Sequence, residues 1–68
     1  MNYLNIPDVL IEALKQLTKN GDIKMAGLLL NMYFIRNWKV KEPIAKHYTI
    51  KWFEKYFPNE LKRYFHKG

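Results

Sequence analysis

Cysteine and serine are both missing from these 68 residues, and arginine appears only twice, at Arg36 and Arg63, against ten lysines. Each absence closes a class of function. Without cysteine there is neither a disulfide framework nor a thiolate metal site, and the two histidines, His47 and His66, are too few to suggest zinc. No metal or cofactor is expected. Without serine or cysteine the common hydroxyl and thiol nucleophiles are gone, and Thr18 and Thr49 are poor substitutes. Gly21, Gly27 and Gly68 stand alone, so there is no glycine-rich phosphate loop. A lone His47 on a basic segment reads as a surface residue, and catalysis is not expected.

Long apolar runs are missing too. The longest, Met25 to Ile35, is interrupted only by Asn31 and falls short of the roughly 20 residues needed to cross a bilayer. The uncharged start, Met1 to Asn5, and the acids Asp8 and Glu12 in the first apolar segment do not fit a secretory leader, which makes a cytoplasmic location the expectation. Neither a repeat nor a low-complexity linker divides the chain, so residues 1–68 read as one domain. A domain this small hides only about 60% of the surface its unfolded chain exposes, and its stability is marginal without a partner.

What is present is charge, unevenly placed. The net charge is +6. Up to Phe34, Lys15, Lys19 and Lys24 are balanced by Asp8, Glu12 and Asp22; from Ile35 onward nine basic residues face only Glu42, Glu54 and Glu60. Eight of the eleven aromatic residues also lie in that second half. Such a surface suits a polyanion, through counterion release and stacking on rings. It would equally serve lysines that only keep an aromatic-rich core in solution.

Hydrophobic spacing predicts an all-α domain of three to four helices, at about 6–19, 23–37, 43–57 and 59–66. Ile6, Leu10, Ala13, Leu14 and Leu17 make one stripe, with Asn5 and Asp8 imitating a capping box and Pro7 in the first turn. Asn20 and Gly21 end that helix, and Asp22 caps the next. The second helix is apolar on nearly every side. It must be the central element wrapped by the others, or have one face covered by a second copy, and a homodimer is the expectation. Trp38 to Lys41 reads as an extended link, and Pro58 as the first turn of a fourth helix.

In the third segment Ile50, Phe53, Phe57, Leu61 and Tyr64 follow helical spacing and are expected to face the core. Tyr48, Trp52 and Tyr56 then fall on the opposite side with Lys51 and Lys55, a basic-aromatic stripe directed outward. Residues Val40 to Phe57, through Ile44-Ala45-Lys46-His47-Tyr48-Thr49-Ile50-Lys51, also bear a resemblance to helix-turn-helix DNA-binding domains. Ile44, Ala45, Tyr48 and Ile50 match the apolar roles of that family, Ala45 letting the second helix pack close. Thr49 stands where glycine is usual, Lys51 where a capping serine is usual, and Lys55 where an apolar residue is usual. The resemblance implies a recognition helix from Ile50 to Phe57, with Lys51, Glu54 and Lys55 toward bases or phosphates. Arg36, Lys39, Lys41, Lys46, His47, Lys62 and Arg63 would contact the backbone. Lysine in place of arginine implies modest sequence discrimination.

Two readings of the partner stay open. One is a small DNA-binding or other nucleic-acid-binding accessory or regulatory protein acting as a dimer. The other is an interaction module, a small subunit or inhibitor, that docks its basic-aromatic face, Trp52 and Tyr56 included, on a larger acidic protein. A membrane partner is not expected, because caps and turns punctuate the chain.

Overall fold

The computed structural model describes residues 5–66, and Lys67 of the basic excess lies outside them. Four helices follow in order: α1 (Asp8–Lys19), α2 (Ile23–Asn37), α3 (Glu42–Tyr56) and α4 (Pro58–His66). The all-α expectation holds, and the helix ends lie within two residues of their predicted places.

Local chemistry sets most of the boundaries. Helix α1 begins one turn's fraction later than expected, because Pro7 itself takes the N-cap position in extended backbone and no side chain caps the helix. Asn5 and Asp8 therefore form no capping box. Ile6 instead folds into the core, and Ile11, at the matching place of a hydrophobic staple, is half-buried against the same cluster. At the other end Asp22 N–H donates to Leu17 O at 2.9 Å and Gly21 N–H to Thr18 O at 3.0 Å, the paired bonds of a Schellman motif. This motif needs the left-handed φ of +84° that Gly21 supplies. Asp22 then caps α2, its carboxylate accepting from Met25 N–H at 3.3 Å. Pro58 opens α4 as expected, after Phe57 leaves helical geometry at φ −139°.

Helix α2 is the centre of the fold, packed by α1, α3 and α4. Its Ala26, Leu30 and Phe34 are buried with Leu14 of α1, Ala45, Trp52 and Phe53 of α3, and Leu61 of α4. Small residues let α2 and α3 approach: a Cβ built on Gly27 would stand 4.0 Å from the Thr49 methyl carbon. The hydroxyls that enter this interior are satisfied within their own helices, Thr18 donating to Leu14 O at 2.7 Å and Thr49 to Ala45 O at 2.9 Å. The wrapping stops short of a full circle. Met25, Leu28, Leu29 and Met32 remain a third to a half exposed on the outer face of α2.

The two structured glycines should respond oppositely to alanine. Gly21→Ala meets no atom within 4 Å but must hold a left-handed φ, so a loss of about 1 kcal/mol is expected. Gly27→Ala gains helix propensity against only an ordinary contact, and a gain of about 0.5–1 kcal/mol is expected. Urea denaturation followed by circular dichroism reads both.

Candidate polyanion interface

Phe53, Phe57 and Leu61 face the core as their apolar spacing suggested, but α3 is rotated from the expected orientation so that Ile50 lies outside and Trp52 inside. Ala45, Tyr48, Thr49, Trp52 and Phe53 line the side toward α2, and Trp52 is 0% exposed. Its ring centroid stands 5.0 Å from Phe53, 4.9 Å from Tyr56 and 5.9 Å from Phe57. Ile50, expected inside, is 39% exposed, and Tyr64 is likewise turned to the surface. The expectation that Trp52 projects outward beside the lysines is therefore wrong. The physical reason is twofold. A tryptophan offers more area to bury than an isoleucine, and the break at Phe57 frees Leu61 to reach the core on its own helix, so α3 need not align Ile50 with it.

The turn that the helix-turn-helix resemblance places at Thr49 to Lys51 does not form, because α3 runs unbroken from Glu42 to Tyr56. Nothing in that stretch would stop it. Thr49 tucks its hydroxyl onto Ala45 O, and no proline or glycine occurs between Pro43 and Pro58.

The predicted contact residues Arg36, Lys39, Lys41, Lys46, His47, Lys51, Lys55, Lys62 and Arg63 are all exposed, but they are not all together. His47, Lys51 and Lys55 follow at four-residue intervals along the outer side of α3, a row with neighbours about 6 Å apart along the axis. Lys46 stands on a flank of the same helix, and Lys39 and Lys41 lie where the chain enters it. Lys41 is the N-cap residue, and Lys39 holds a left-handed φ of +58° in the link between α2 and α3. Arg36 instead borders a shallow apolar groove with Leu10, Leu29, Met32 and Tyr33. Arg63 lines an open cleft of about 620 Å³ between the α1–α2 turn and α4, facing Asp22 and Glu60 as well as Lys19 and Lys24. Lys62 is exposed on α4.

Acidic neighbours compensate little of this charge. Lys46 approaches Glu42 at 3.5 Å and Lys51 approaches Glu54 at 3.8 Å, both pairs well solvated and each worth no more than about 1 kcal/mol. Lys55 lies 5.9 Å over the Tyr56 ring. Among the described residues Lys39, Lys41, Lys55 and Lys62 enter no ion pair. Tyr56 is the one member of the predicted aromatic stripe that is well exposed, at 45%.

Sequence reasoning missed two exposed rings, Tyr64 and Phe65 at the end of α4, whose centroids lie 5.8 Å apart beside Lys62 and Arg63. The signal was available in the length of that helix: nine residues anchored by Leu61 alone cannot bury two more rings. Among the described residues no cluster of three metal-ligating side chains occurs, and no helix is long and apolar enough to cross a membrane. No family model, curated protein or solved structure matches the chain.

The surface and core roles separate cleanly by mutation. Alanine at Lys51 or Lys55 should move stability by no more than about 0.5 kcal/mol. Alanine at Trp52 should cost about 3–5 kcal/mol and leave so small a domain largely unfolded in a thermal melt. Trp52→Phe should be far milder, because the buried indole Nε1 has no hydrogen-bond partner to lose.

Proposed function

We propose that the chain is a small binding protein, not an enzyme, that holds nucleic acid, duplex DNA above all, through the phosphate backbone, and acts as a dimer. The observation that supports this reading best is the row His47, Lys51 and Lys55 on the outer side of a rigid helix, extended by Lys46 and by Lys39 and Lys41 at its start. Lysines spaced along a preformed helix surface meet phosphates without reorganising the backbone and release condensed counterions as they do so. With α3 unbroken, no separate recognition helix stands ready to enter the major groove at Ile50. Contacts are therefore weighted toward the backbone, and discrimination between sequences is low. Glu54, exposed beside Lys51 on the same side of α3, works against close approach of a phosphate there.

Docking on an acidic protein is the second reading. It loses its strongest anchor with Trp52 in the core, since interface energy concentrates in large buried rings and arginines. Tyr56, Tyr64 and Phe65 are what remains to it. Phosphate binding needs only charge and reach, so it suffers less from that burial.

Salt titration of binding to a generic duplex is the test. About four phosphate contacts give roughly a hundredfold loss of affinity between about 50 and 200 mM salt, and changing the duplex sequence should matter little. The double variant Lys51→Ala/Lys55→Ala should flatten the salt slope by about two contacts. Absence of binding at low salt would sink the reading.

A further inference from the structure

We propose that α2 pairs with α2 of a second copy, antiparallel, about a two-fold axis passing beside Leu29 and Leu30. This rests on the dimer of the reading above and is independent of what the basic face binds. Met25, Leu28 and Met32 on the outer side of the helix, with the partly buried Ile35 at its edge, recur at spacings of three, four and three, the seam that two packed helices share. The first three are about half exposed although all are apolar. Antiparallel pairing sets Met25 against the partner's Ile35 and Leu28 against the partner's Met32, each layer occurring twice.

Charge chooses both the occupant and the direction. Asp22 and Arg36 lie seven residues to either side of Leu29, on one flank of the seam, and both are exposed. An antiparallel partner therefore brings Asp22 beside the partner's Arg36 and Arg36 beside the partner's Asp22, while Leu29 meets its own copy. Asp22 caps α2 through Oδ1, which leaves Oδ2 to accept from a guanidinium. In a parallel pair this flank of the two copies would lie on opposite sides of the seam, and neither Asp22 nor Arg36 would meet its opposite charge. The neutral front half makes such self-contact possible in a chain of +6, because the uncompensated lysines of α3 and α4 lie elsewhere. A polyanion finds no group of cations along this seam. The exposed apolar area is on the order of 300 Å² per copy, large enough to mark an interface and well under the roughly 800 Å² of a standard one, so the dimer is weak and forms in the micromolar range.

Sedimentation equilibrium and crosslinking test the pairing and its direction separately. The native chain should move from one to two chain masses across a micromolar concentration series. Met32→Glu, checked for helix content by circular dichroism, should raise the dissociation constant at least about tenfold. Asp22→Asn keeps the cap but loses the charge pairs, and should raise it about two- to tenfold at low salt. The absence of native cysteine makes single introduced thiols clean reporters: Leu29→Cys should crosslink to its own copy with a short bismaleimide, and Met25→Cys should not. A chain that stays monomeric at every concentration overturns both this proposal and the dimer of the functional reading. Crosslinking at Met25→Cys and not at Leu29→Cys overturns the antiparallel arrangement alone. A dimer indifferent to Met32→Glu places the contact on another face and refutes the pairing through α2.

Discussion

The packing of α3 on α2 governs everything else in this molecule. Small residues line that contact, Thr49 standing beside Gly27, with Trp52 beside Phe53 toward one end and Phe34 among Trp38 and Tyr48 toward the other. Phe34 and Trp38 have centroids 4.6 Å apart, and Tyr48 closes the group edge-on to both. Once α3 commits these rings to the interior, its rotation about its own axis is fixed. The opposite side, carrying His47, Lys51 and Lys55, is then presented to solvent without further help.

The same contact explains why α2 keeps a bare apolar flank. A helix apolar all round can be wrapped only by more neighbours than the described helices α1, α3 and α4 provide, since α4 is short and reaches the core mainly through Leu61. The hydrophobic surplus and the charge surplus consequently end up in different parts of the molecule. On the proposed reading the apolar seam of α2 and the α3 row that carries Lys51 and Lys55 would be occupied at once, by a second copy and by a polyanion, since the two share no residue. Arg36 borders the apolar groove and would serve the dimer instead of the phosphate backbone.

Individual residues show how far the sequence could be read. Gly21 and Asp22 announced their turn and cap because those depend on a single φ and a single carboxylate within five residues. Pro58 likewise set the start of α4 by lacking an N–H. Asn5 misled, because a capping side chain competes with Pro7, whose fixed φ serves the N-cap as well as the first turn. Trp52 and Ile50 misled for a deeper reason. Both faces of α3 carry apolar residues at helical spacing, and the wheel does not say which of two stripes will find the partner helix.

Helix existence, helix ends and the neutral-to-basic gradient were determined by sequence alone, since they follow from local backbone chemistry and from counting charges. The rotation of α3, the burial of Trp52, the dispersal of Arg36 and Arg63 away from the α3 row, and the exposed flank of α2 were decided only by the tertiary structure. These depend on volume and on distance between segments remote in sequence: the largest ring goes where small residues on the facing helices leave space, and no local pattern records where that space will be.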